Sequence, residues 1–360
     1  MSSAACTVAG GGERRCEAKT LGEQCSPSPD VGRGQGGGVD KKMKRLTTAV
    51  GMLVAFVALA CGRGPAQQQQ QAGPRIALVL KTLNSPFFID MQKGAQEAAA
   101  RLKVELVVQA AEREVDVDKQ MQIIENLIQT GVKALCVTPS GSKEIVPAIA
   151  KANKAGIPVI IVDTKVDEAA AKEAGIQIAS FVGSDNYEGG KVAGQQVVTA
   201  TGGKAKVGVL EGIPGHETGD SRLRGFKDAI KDSPGVQIVA SQPGNWERDL
   251  GFNVFQNMMQ AHPEIDTVFA CNDMMALGAV EAIAAARKTG KIKVLGFDAV
   301  QDARKAIESG TMIGSVAQFP SEMGRLAIES AFQVLNGQKP QADQRVRIEL
   351  VVKSAGAAAK

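Results

Sequence analysis

Ser85, Asp163, Asn272, Asp298 and Gln318 each follow a short apolar run within a few residues. Side chains of this type accept from and donate to hydroxyl groups, and two of them are carboxylates able to hold a pair of vicinal hydroxyls. Phe87, Phe88 and Trp246 stand close to these positions or in a comparable loop, and aromatic faces cover the C–H side of a polyhydroxylated ring. An isolated Asp163 or Asp298 would be read first as a helix N-cap. Five polar residues at equivalent places are better explained as one site. Asp185, Asn186 and Asp273 are read as caps, with Asn272 before Asp273 left free to meet a ligand.

The elements that must carry these residues alternate. Ile76 to Leu80 reads as a strand, and Phe88, Met91, Ala95, Ala98 and Leu102 recur at helical spacing after it. Strands follow at Val104 to Val108, Ala134 to Val137 and Val159 to Val162, with helices expected from Asp116 to Thr130 and from Ser142 to Gly156. Beyond Phe181 and Val182 a helix over Tyr187 to Thr199 opens a second series, which includes a helix from Asp220 to Ile230 and strands ending at Asp298 and Gln318. Repeated strand–helix units of this kind build parallel sheets covered on both faces, and ligands of such sheets bind beyond the carboxyl ends of the strands. Two series whose strand ends face each other would enclose one cleft.

Composition sets the remaining bounds. With 360 residues, 44% hydrophobic and 22% charged, the chain is long enough for two globular units. The net charge is +4, and residues 1–60 hold eight Lys/Arg against five Asp/Glu, so the rest is near neutral and no nucleic-acid partner is expected. Residues 1–42 lack periodicity and read as disordered or as an over-long start. Residues 43–60 have the basic start, apolar centre and small terminal residues of an export signal. Cys61 follows at once, which suits a lipid-modified cysteine, and residues 61–74, with Gln67 to Gln71, read as a flexible tether. Cys136 and Cys271 lie in apolar strands and read as buried thiols. No dinucleotide fingerprint, phosphate loop, serine elbow or metal spacing occurs, and His216 and His262 read as a loop residue and a helix-end residue. No cofactor is expected and a sugar-converting enzyme is the weakest reading.

The chain from about Arg75 to Lys353 resembles the periplasmic sugar-binding proteins of ABC importers, the ribose-binding type in particular. The resemblance rests on Thr82-Leu83-Asn84-Ser85-Pro86-Phe87-Phe88, Ile157-Pro158-Val159-Ile160, Ala261-His262-Pro263, Asn272-Asp273-Met274-Met275-Ala276-Leu277-Gly278-Ala279, Val294-Leu295-Gly296-Phe297-Asp298 and Ala317-Gln318-Phe319-Pro320. It implies the type I periplasmic binding protein fold: two Rossmann-like α/β lobes joined by a three-strand hinge, with crossings near Ser184, Gln318 and Arg347. The first lobe would comprise residues 75–184 and 319–347, and the second 185–318 and 348–355. The resemblance further implies ligand contacts from Ser85, Phe87, Phe88, Asp163, Trp246, Asn272, Asp298 and Gln318, capture of a sugar or polyol by hinge closure, and delivery to an inner-membrane permease. A chemoreceptor is a second candidate partner, and presentation of a sugar to a membrane receptor is the alternative role. Ribose binders carry Arg at the positions matched here to Thr164 and Asp220, and Asn at the one matched to Ser85. Loss of two cationic donors implies a ligand other than D-ribose, with Thr164 and Asp220 setting its identity.

Overall fold

The computed structural model describes residues 73–354, so the expected export signal, Cys61 and the tether before Gly73 lie outside the described residues. The first series is β1 (Arg75–Leu80), α1 (Pro86–Leu102), β2 (Glu105–Ala110), α2 (Val117–Gln129), β3 (Ala134–Val137), α3 (Val146–Lys154), β4 (Val159–Val162), α4 (Glu168–Glu173) and β5 (Ser180–Ser184). The second is α5 (Asn186–Thr201), β6 (Ala205–Glu211), α6 (Glu217–Ile230), β7 (Val236–Pro243), α7 (Arg248–Ala261), β8 (Thr267–Ala270), α8 (Asp273–Ala285), β9 (Lys293–Asp298), α9 (Gln301–Ser309) and β10 (Gly314–Ala317). The chain then returns through α10 (Pro320–Leu335) and β11 (Asp343–Val346) before ending on β12 (Glu349–Val351).

Two six-stranded sheets result, in the orders β11-β5-β4-β3-β1-β2 and β12-β10-β9-β8-β6-β7. Apart from its late edge strand, each sheet has the same order, so the two lobes share one topology. Every pairing is parallel except the antiparallel β10–β12 edge. The chain passes between the sheets after β5, after β10 and after β11. In both lobes the strand order reverses beside the first strand, between β1 and β3 and between β6 and β8, which is where open α/β sheets leave a crevice.

Strand periodicity divides the first core. Ile76, Leu78 and Leu80 point to one face, where Met91, Ala95, Met323 and Ala327 of α1 and α10 cover them. Ala77 and Val79 point to the other, against Ile124, Leu127 and Ile149 of α2 and α3. Full burial of each such Leu or Ile contributes about 1.5–3 kcal/mol. The four-residue strands β3, β4, β8 and β10 are buried at every position, as central parallel strands must be. Cys136 and Cys271 are free buried thiols in separate lobes.

Two helix starts differ from the sequence reading. Helix α3 begins at Val146 rather than Ser142, because residues 141–145 form turns and the Ser142 hydroxyl accepts from the Glu217 backbone N–H of the other lobe at 3.3 Å. Helix α6 begins at Glu217, three residues before Asp220, with Gly215 at φ +83° making the turn and His216 at the N-cap. That extension brings Thr218 into the helix, one turn before Arg222.

Candidate functional site

One cavity lies where the carboxyl edges of the two sheets meet. The first lobe contributes Lys81 from the end of β1, Ser85, Phe87 and Phe88 from the start of α1, Glu114 from the loop after β2, and Asp163 from the end of β4. The second contributes Thr218 and Arg222 of α6, Trp246 from the loop after β7, Asn272 at the β8–α8 elbow and Asp298 at the end of β9. Gln318 lines it from the second crossing.

Burial makes each charge here consequential. Lys81 is 2% exposed, and its ammonium lies 3.6 Å from Asp163 and 3.6 Å from Glu114. One cation shared between two carboxylates leaves the second incompletely compensated. Burial accordingly raises Glu114 to about 7, against the pull of Lys81. Asp163 has φ +65°, a left-handed backbone that turns its side chain off the strand end, where it also accepts from the Thr164 hydroxyl at 3.0 Å.

Arg222 is the second buried cation. Its Nε donates to Asn186 Oδ1 at 2.9 Å, its Nη1 to the Cys271 carbonyl at 2.6 Å, and Nη1 lies 3.7 Å from Asp298. The guanidinium stacks 3.8 Å from the centre of the Phe297 ring. Gly190 of α5 makes this placement feasible, since a Cβ there would collide with the Arg222 backbone. Asp298 is raised to about 6, first by burial, although Arg222 and a 2.8 Å hydrogen bond from Gln318 Nε2 both favour its charge. Gln318 Oε1 is buried without a protein partner, an acceptor facing a site lined with polar groups.

Trp246 is held by geometry around it. The indole lies over Gly212, where a methyl group would enter its ring, and its Nε1 donates to His216 Nδ1 at 3.5 Å. Phe87 and Phe88 meet edge to face at 5.2 Å on the opposite wall. Among the described residues, left-handed backbone at non-glycine positions occurs at Asp163, Asn245, Trp246, Asp298 and Ala299, besides Lys103 and Arg287. Five of these seven belong to the cavity or its flanks, and each such conformation costs about 1–3 kcal/mol. The packed lobes hold that strain where it aims side chains inward.

The lobes touch around this space. Thr164 and Thr218 hydroxyls are 3.0 Å apart, and Arg113 Nε and Nη2 donate to the two oxygens of Glu247 at 2.8 and 2.7 Å. The second pair is largely solvent-exposed and adds little by itself.

Ser85, Phe87, Phe88, Asp163, Trp246, Asn272, Asp298 and Gln318, each expected at a site, all line the cavity. Thr164 and Asp220 do not. Thr164 is fully buried behind Asp163 and holds it, whereas Asp220 is exposed. With α6 starting at Glu217, Thr218 and Arg222 stack at i and i+4 on the inner face and Asp220, two residues from each, turns outward. Arg224 donates to Ser221 at 2.7 Å.

The elbow roles also change. Asn272, not Asp273, is the N-cap of α8: Oδ1 accepts from Met275 N at 2.9 Å and Nδ2 donates to the Trp246 carbonyl at 3.0 Å. Asp273 is buried beneath the site, accepting from Ser315 and from Val300 N, and burial with Asp298 nearby pushes its carboxyl well above the ordinary range. Asn186 is no cap either, since Asp185 caps α5 and Asn186 holds Arg222. Sequence reasoning did not assign Lys81, Glu114, Thr218 or Arg222 to the site. Lys81 had a usable signal, because it follows the β1 apolar run directly; Glu114 had none.

A family model described as a periplasmic binding protein domain matches residues 76–339. The chain is 37% identical over 311 residues to ribose import binding protein RbsB of Escherichia coli, covering 86% of this chain and 99% of that protein. It is 35% identical over 320 residues to the D-ribose/D-allose-binding protein of Pseudomonas aeruginosa, covering 86% and 98%. Among solved structures, an ABC transporter periplasmic solute binding protein from Actinobacillus succinogenes with bound D-allose superposes with a TM-score of 0.73 at 38% identity, over 78% of this chain and 98% of that one.

Proposed function

The chain belongs to the periplasmic binding protein family, of the ribose-binding type, and from that premise we propose that it is the substrate-binding protein of an ABC importer, capturing one neutral monosaccharide or sugar alcohol between its lobes. The observation that carries this reading is that both cations lining the cavity are already paired. Lys81 lies against Asp163 and Glu114, and Arg222 against Asp298 and two neutral acceptors. No cation is left over for an acidic sugar. Paired carboxylates and the free Gln318 acceptor instead suit hydroxyl donors, and Phe87, Phe88 and Trp246 supply apolar faces for the ring.

Capture proceeds by hinge closure. A sugar bonded to one lobe offers hydroxyls to the other, so the closed arrangement gains contacts that an open one lacks and its population rises. The loaded form then docks on a membrane permease. The argument against D-ribose loses its ground, because Asp220 is outside the cavity and Lys81 and Arg222 bring two cations into it. D-Ribose and D-allose, named for the relatives, both belong among the ligands to try.

Calorimetric titration with pentoses, hexoses and polyols, alongside a uronic acid and an amino sugar, tests this. A neutral sugar should bind one to one, with a change in the fluorescence of Trp246, the single Trp of the chain. Binding confined to a charged sugar, or no binding across the panel, would overturn the reading. Export and a lipid anchor on Cys61 complete the proposal. Labelled palmitate should enter the wild type and not Cys61→Ala; equal labelling of the two removes the anchor.

A further inference from the structure

His216 reads as an ordinary loop residue, yet it is 3% exposed and sits in the seam between the lobes. It belongs to the second lobe, at the start of α6, and its ring faces the Ser140 backbone of the first. Its neighbours in sequence make the other seam contacts: Glu217 N donates to Ser142, and Thr218 meets Thr164. On its second side Nδ1 accepts from Trp246 Nε1 at 3.5 Å. An imidazole that accepts at Nδ1 carries its one proton on Nε2, which is the tautomer that can donate to a carbonyl. Nδ1 is thereby committed as an acceptor in the neutral form, with the Nε2 proton on the side of Ser140.

We propose that His216 is a positioning residue that makes cleft closure, and hence ligand affinity, depend on a neutral imidazole. The inference rests on the ligand-binding reading above. A proton added at Nδ1 would set two N–H groups head to head, releasing Trp246 from its place on the cavity wall and opening the seam at Ser140. The charges around the ring act the same way: Lys81, from the end of β1, repels an imidazolium, and Arg222 lies 5.7 Å from the centre of the Trp246 ring. Burial, with Lys81 second, lowers His216 to about 3, against the pull of the Ser140 backbone. On its own helix, Glu217 accepts from Ser221. Parting the lobes would return His216 to water, where a histidine titrates near 6.5.

The sign follows from linkage. A group bound less well by protons in the closed state makes closure weaken as pH falls below its open-state value. Glu114 and Asp298 are raised by burial and work in the opposite direction, so the wild-type profile is a sum. Comparison with His216→Asn isolates the histidine. The variant-to-wild-type ratio of dissociation constants should fall about tenfold from pH 7.5 to pH 5.5, because only the wild type must shed a proton from residue 216 to close. A purely structural role would change affinity equally at both values, and a constant ratio overturns the inference while leaving sugar binding intact. Absence of binding at either pH removes both. Should His216→Asn fail to fold, proton NMR of the ligand-loaded wild type decides, since the chain has only two histidines. A His216 ring signal flat between pH 5 and 8 supports the inference, and one titrating near 6.5 refutes it.

Discussion

Arg222→Ala should weaken ligand binding by about 100-fold or more, and Arg222→Lys should fare little better. Truncating one member of a buried, hydrogen-bonded charge pair costs about 2–5 kcal/mol, and each 1.4 kcal/mol is a factor of ten in affinity. Alanine strands Asp298 beside the cavity without its cation and leaves Asn186 Oδ1 and the Cys271 carbonyl without their donor. Lysine restores the charge but cannot reach two acceptors from one plane or stack on Phe297 as the guanidinium does. Calorimetry reads the affinity and thermal unfolding the stability, which should fall by about 3–5 kcal/mol in the alanine variant. Unchanged affinity in a folded Arg222→Ala protein would remove Arg222 from the site.

Lys81→Met should be the other severe change, and its effect should depend on pH. Two buried carboxylates, Asp163 and Glu114, would then share the first-lobe wall with no cation between them. Breaking such a cluster costs about 3–5 kcal/mol. Glu114 already stands at about 7, above its ordinary value of 4.5, so burying it weakens the folded state progressively as pH rises from 4.5 through 7. Lys81 is what lowers it, and without Lys81 the value rises further. The stability gap between Lys81→Met and wild type should therefore be wider at pH 8 than at pH 6. Guanidinium melts at the two pH values measure it; an equal gap would mean that Glu114 does not titrate against Lys81.

Much of the site could be read from the chain because strand ends are conspicuous. An apolar run that stops at Asp163, Asp298 or Gln318 announces both the edge of a sheet and the residue placed there. The same logic fails within a helix, where a shift of two residues turns a side chain to the opposite side. The match to an Arg of ribose binders places Asp220 at the site, whereas Thr218 and Arg222 take the inner face of α6 and Asp220 lies between them on the other side. Asn272 and Asp273 show a related limit. Either can cap, and the choice falls to Asn272 because Asp273 is needed beneath, by Ser315 and Val300 of distant segments. Glu114 was illegible because its partner Lys81 lies on another strand and nothing local marks the pair.

The first lobe is not a continuous stretch of chain. Its core between β1 and α1 is closed by Met323, Ala327, Ile328 and Ala331 of α10, and its sheet is finished by β11. A ribosome delivers those residues after the whole second series has been made. Until then β3 and β4 lack the cover of α10 and β5 has an open edge, so the early half lacks part of its core. The first lobe can be completed only when nearly the full length of the chain is present. In the proposed export, that dependence would keep the first lobe threadable until the chain is nearly complete.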